Sequence, residues 1–89
     1  MQERKRFACH CCGFLTLTEE PLGSYEICPV CFWEDDYVQL MEPTRGGANH
    51  VSLEEARRNY ANFGVSEEKF KMCVRPPNPD EYQPIKEGD

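Results

Sequence analysis

The chain has 89 residues, 39% of them apolar and 29% charged, and six are cysteine. That is one small domain, too short to rest on a large core, and domains of this size usually need a staple: disulfides, a metal or a partner. Sixteen acidic against ten basic residues leave a net charge of −6, which speaks against nucleic acid and favours a basic protein partner.

Residues 1–8 are polar, mostly basic, and lead into no apolar run. No signal peptide and no membrane span is expected, and a cytoplasmic location is. In that reducing compartment paired cysteines read as metal ligands before disulfides. Residues 9–13 read CHCCG. Residues 14–17 are rich in strand formers, and Glu19, Glu20, Pro21 and Gly23 mark a turn. Residues 24–27 alternate as a second short strand. CPVC fills 28–31, followed by Phe32, Trp33 and the acids Glu34, Asp35 and Asp36. Residues 37–41 read as a third strand or a turn. Residues 42–49 carry Pro43, Gly46 and Gly47 and read as a loop.

Helical signals begin at Ser52, which forms a capping box with Glu55. Leu53, Ala56, Tyr60 and Phe63 make one apolar stripe, and Gly64 is a left-handed stop. Ser66 reads as the cap of a second helix, with Phe70, Cys73 and Val74 facing the core and Pro76 and Pro77 ending it. The layout is a polar N-terminal segment over 1–8, a zinc-ribbon-like domain over 9–76 and an extended Pro-rich tail over 77–89. The fold class is a small α+β metal-stapled domain: a zinc-ribbon β-hairpin with a short extra strand, then two short C-terminal helices.

Cys9 and Cys12 form one CxxC pair, Cys28 and Cys31 another, with fifteen residues between the pairs. Zinc takes four ligands tetrahedrally, and a CxxC turn places two sulfurs on one metal. A hairpin between the pairs would turn them to face each other. These four cysteines are therefore the expected ligands of one structural Zn²⁺. Gly13 sits where a positive φ is useful, and Pro29 stiffens the second turn. A thiol–disulfide couple is the sharper rival, but it usually starts a helix in a βαβ unit, and nothing here suggests one. Cys11 reads as a small partly buried thiol, with a reactive, redox- or zinc-responsive thiol as the alternative. His10 reads as a filler beside it rather than a ligand. Cys73 reads as core.

Taken together, CHCCG, LTL, YEICPVCFWEDD, GGANHVSLEEARRNYANFG and VRPP resemble the bacterial cysteine-rich CPCC family. The resemblance runs from about Phe7 to Pro77. One departure is His10, which stands where the family has proline. The resemblance implies a zinc-binding module and assigns no reaction to it.

Two further features bear on function. Phe32 reads as packing over the cysteine turns with the acids facing solvent, and Trp33 is open between that role and an aromatic anchor rimmed by Glu34, Asp35 and Asp36, a docking surface for a basic protein such as an immunity-type partner would have. The alternative is a small hydrolase that pairs His50 with Asp35, Asp36 or Glu34. Such an enzyme needs His50 within hydrogen-bond reach of a carboxylate in a shared pocket. The GGANH loop reads first as a turn, with Asn49 bonding backbone.

Overall fold

The computed structural model describes residues 5–83. Its frame is two tight loops, each built around one cysteine pair. In the first, the Cys9 amide donates to the Phe14 carbonyl at 3.0 Å and the Gly13 amide to the Cys9 carbonyl at 2.8 Å. The strands on either side, β1 (Phe7–Ala8) and β2 (Leu15–Leu17), pair antiparallel, with Phe7 opposite Leu17 and Ala8 opposite Leu15. In the second, the Cys28 amide donates to the Trp33 carbonyl at 2.9 Å and the Phe32 amide to the Cys28 carbonyl at 2.8 Å. Ile27 and Glu34 form a bridge across its base.

The expected pairing of 14–17 with 24–27 is not the one formed. Each cysteine pair closes its own hairpin, and residues 25–27 pair with 34–35 instead. Tyr25 donates its amide to the Asp35 carbonyl, and Asp35 returns one to the Glu26 carbonyl. The physical reason lies in Glu26. Its carboxylate accepts the amides of Thr18 and Glu19 and the Thr18 hydroxyl, at 3.0–3.2 Å. Backbone donors beyond β2 are thus satisfied by a side chain, and no neighbouring strand is needed.

Residues 37–41 are also a correction: they form a helix, α1 (Tyr37–Met41), rather than the strand or turn expected. Asp36 caps it, accepting the amides of Val38 and Gln39. The next helix, α2 (Leu53–Phe63), follows the sequence expectation. Ser52 accepts the Glu55 amide at 3.1 Å, and Gly64 ends the helix at φ 78°. Its apolar stripe is graded, with Leu53 and Ala56 buried, Tyr60 half-buried and Phe63 exposed.

The second C-terminal helix is a 3-10 helix, Glu68–Cys73. Ser66 does not cap it. The Ser66 amide donates to the Cys31 carbonyl, and its own carbonyl accepts from Asn59. Cys73 is exposed, contrary to its reading as core. At three residues per turn it lies in the same row as Phe70, which is only half-covered, and it falls at the exposed end.

The Pro-rich segment does not simply extend. It makes a second 3-10 turn, Pro79–Glu81, and folds back on the N-terminal half. The Tyr82 ring meets Phe14 edge-on at 4.9 Å. Residues 84–89 of the expected tail lie outside the described residues. The core itself is small: Leu17, Val30, Trp33, Leu53, Ala56 and the buried cysteines.

Candidate metal centre

The sulfurs of Cys9, Cys12, Cys28 and Cys31 all lie within 4.8 Å of one another. Cys9 and Cys31 are 3.5 Å apart, and Cys12 and Cys28 are 3.7 Å apart. A tetrahedral ion with bonds of about 2.3 Å needs sulfur–sulfur edges of roughly 3.8 Å. The donor set therefore fits a metal with little rearrangement. Both of these contacts join a sulfur of one loop to a sulfur of the other, so an ion here would cross-link the two hairpins.

The loops explain why the sulfurs converge. The Cys11 amide donates to the Cys9 sulfur and the Val30 amide to the Cys28 sulfur, each at 3.4 Å. The residue after the second cysteine is left-handed in both loops, with φ 83° at Gly13 and φ 70° at Phe32. Glycine takes that conformation freely, whereas phenylalanine is strained by it. Phe32 is held there by its ring, which packs on Phe70 at a centroid distance of 4.5 Å. The Thr16 hydroxyl adds a contact to the Cys28 sulfur at 3.0 Å.

As thiols, the four groups do not titrate alike. The Cys28 pKa is held down by hydrogen bonding from Cys12, then Cys31 and Cys9. The Cys9 pKa is also lowered, chiefly by Cys12. Cys12 is pushed up, first by its hydrogen bond to Cys28, and Cys31 is pushed up, first by Cys11 beside it. Cys12 and Cys31 therefore hold their protons more tightly than Cys9 and Cys28 do. A metal must displace those protons to bind. Tyr60 is pushed up to about 12, by burial first and then by the cysteines, so it stays a neutral phenol.

Cys11 is buried, in line with its reading as a small packed thiol. His10 is no ligand of the cluster. Its Nε2 pairs with the Pro21 carbonyl at 2.8 Å. Among the described residues no other group of three or more such side chains gathers as these four do.

The acidic strip is not the surface the sequence suggested. Trp33 is 2% exposed, Asp35 1% and Asp36 7%. Trp33 packs in the core and anchors nothing outside. Asp35 accepts from the Gly23 and Ser24 amides and the Ser24 hydroxyl, at 2.8–3.0 Å, and so pins the turn before the second loop. Its other oxygen is buried without a partner. Asp36 caps α1 and accepts the Ala48 amide at 2.9 Å. Its pKa is lowered, most by the Ala48 bond. Both acids were drawn inward because unpaired loop amides surround them.

The hydrolase constellation is not assembled as expected. His50 is exposed, and its Nδ1 lies 3.2 Å from Lys69 Nζ and 3.7 Å from Glu67. Glu34 and His50 do line one small cleft of about 90 Å³ with Phe32 and Phe70. Neither Asp35 nor Asp36 lines it.

Sequence reading missed the clip that holds the GGANH loop. Gln39 is fully buried, and its amide nitrogen donates to the Arg45 and Val51 carbonyls. Its oxygen accepts from the Asn49 backbone and side-chain amides. The Asn49 side chain also exchanges two hydrogen bonds with the Glu34 backbone, at 2.9 and 2.8 Å. A Cβ on Gly47 would sit 2.7 Å from the Asp36 carboxylate and 2.8 Å from Gln39. The glycine pair and Asn49 were the visible signal. Gln39, inside a segment read as a strand or a turn, gave none.

The family model described as "Cysteine-rich CPCC" matches residues 7–81, a span that holds all four clustered cysteines. No curated protein matches the chain.

Proposed function

The chain belongs to the cysteine-rich CPCC family, and we propose that it is a zinc-stapled, ribbon-like module that docks a basic protein. The observation that carries the staple is the convergence of four sulfurs, two from each loop, within 4.8 Å. An all-thiolate set suits zinc, and a four-coordinate site of this kind is closed to water and substrate. When bound, the ion supplies cross-linking and charge neutralisation. The chain's own groups do the rest. The Cys11 and Val30 amides orient two sulfurs, Thr16 steadies Cys28, and the left-handed residues Gly13 and Phe32 close the loops.

The docking face is moved from the acidic strip to the exposed apolar residues around α1. Tyr37, Val38 and Met41 are exposed on α1, and Leu22 and Tyr25 on the preceding turn. The two segments are adjacent: a Cβ built on Gly23 would lie 3.0 Å from the Tyr37 Cβ. Contiguous exposed apolar surface of this kind marks interaction sites, and the net charge of −6 favours a basic partner.

Native mass spectrometry with metal analysis tests the staple. We expect one zinc per chain and loss of folded structure on chelation. A metal-free chain that stays folded in chelator overturns it. For the docking face, a photo-crosslinker at position 25 or 37 should capture a basic protein from cells. Capture should need zinc and weaken in high salt. An equal yield from a crosslinker at position 63 overturns the docking face and leaves the staple standing.

A further inference from the structure

The four clustered cysteines are not equally sealed. Cys9, Cys28 and Cys31 are essentially buried, and Cys12 alone is half-buried. Any chelator, oxidant or incoming metal reaches the cluster first at Cys12. What stands beside Cys12 therefore governs access.

The folded-back Pro-rich segment, residues 75–83, rests on the two residues that follow Cys12 in the first loop. Its base is tied to the second loop, where the Arg75 amide donates to the Pro29 carbonyl at 3.1 Å. Its tip rests on the first loop, immediately after Cys12. The Gln83 side-chain amide donates to the Gly13 carbonyl, and Tyr82 packs on Phe14. A Cβ on Gly13 would lie 3.7 Å from that Gln83 amide. Between base and tip, Glu81 is buried and holds Arg75 at 2.7 and 2.9 Å. Arg6 adds contacts to Asp80 at 2.8 Å and to Glu81 at 3.8 Å. The anchor is thus an ion-pair cluster, while the tip is only an edge-on ring contact and one exposed hydrogen bond. Such a tip opens locally without unfolding the domain.

We infer that residues 75–83 form a strap whose tip, Tyr82 and Gln83, gates metal exchange at Cys12. It rests on the metal-binding reading above and adds regulation to that site. With the tip seated, exchange waits for it to lift. With the tip removed, Cys12 is open to attack at all times.

The test uses the full zinc-loaded chain in a Cys73→Ser background, which removes the exposed thiol. Zinc transfer to a chelating dye is timed, and iodoacetamide labelling is mapped by mass spectrometry. The double variant Tyr82→Ala with Gln83→Ala should release zinc about tenfold faster, the combined strength of one aromatic pair and one hydrogen bond. Cys12 should be the first cysteine alkylated. Phe70→Ala loosens the opposite loop and serves as the control for general destabilisation. It should accelerate release less than the double variant, even where its melting temperature is lower. Unchanged release in the double variant, equal acceleration in the control, or first labelling at Cys9, Cys28 or Cys31 overturns the gate. A wild-type chain that takes up no zinc fails before any release is timed and overturns the metal reading itself.

Discussion

The two cysteine loops are copies in hydrogen bonding and opposites in composition. Both close with the same pair of backbone bonds, and both send an amide to the first sulfur at 3.4 Å. Both need a left-handed residue after the second cysteine. The first loop meets that need with Gly13, at no steric cost. The second meets it with Phe32 and offsets the strain by packing the ring on Phe70. The first loop also leaves a ligand half-open, whereas the second buries both of its own. The convergence of two sulfurs therefore dictates the backbone of a loop, and the rest of the fold decides which side chain is tolerable there.

The largest effect that separates the loops comes from the ligands. Structural zinc contributes on the order of 10 kcal/mol to folding in small domains. Cys28→Ala should leave the chain unfolded by circular dichroism, whatever the zinc concentration. Cys12→Ala replaces the half-open ligand, where water can fill the fourth position. It should retain weaker zinc binding and a zinc-dependent fold. Identical behaviour of the two variants would erase the distinction between loops. Acid should act on both in the same sense. Cys12 and Cys31 hold their protons above the ordinary thiol range and must lose them to bind metal. Zinc affinity, read by competition with a chelator, should accordingly fall as pH falls.

Next comes Phe32. Phe32→Ala keeps the left-handed strain and loses the half-buried ring, so it should cost about 2 kcal/mol in chemical denaturation of the zinc form. Phe32→Gly loses the same ring but relieves the strain. It should be more stable than Phe32→Ala by about 1 kcal/mol. Alanine proving the better residue would mean that the loops are not equivalent.

Gly13→Ala is the mirror test. It places a side chain at φ 83° and should cost about 1 kcal/mol, with Gln83 close enough to feel it. Last is Thr16→Val, which removes the one hydroxyl on a cysteine sulfur and acts on the second loop alone. We expect a loss of about 1 kcal/mol or less, together with faster metal release. No change in either would leave Thr16 a packing residue only.

Legibility in the sequence followed the range of the interaction. The clustering of the four cysteines, the left-handed Gly13, the Ser52 cap and the Gly64 stop were all readable. Each is settled by the residue itself and a few neighbours. Phe32 was not readable as left-handed, since its type argues against that conformation and only the ring of Phe70 makes it tolerable. Tyr37–Met41 was misread because five residues carry too little periodicity to separate helix from strand. Its buried Gln39 acts through residues of the following loop.

Charge was the most misleading local signal. Glu34, Asp35 and Asp36 read as a solvated strip, yet two of the three are buried beneath loop amides that they satisfy. Glu81 lies in a segment read as a tail, yet Arg75 holds its carboxylate below the usual range. The sequence by itself determined the chemistry of the site, because four thiols at CxxC spacing bring their geometry with them. The tertiary structure decided which strands paired, which acids turned inward and which cysteine stayed open. Those outcomes depend on unpaired backbone groups that exist only once distant segments have met.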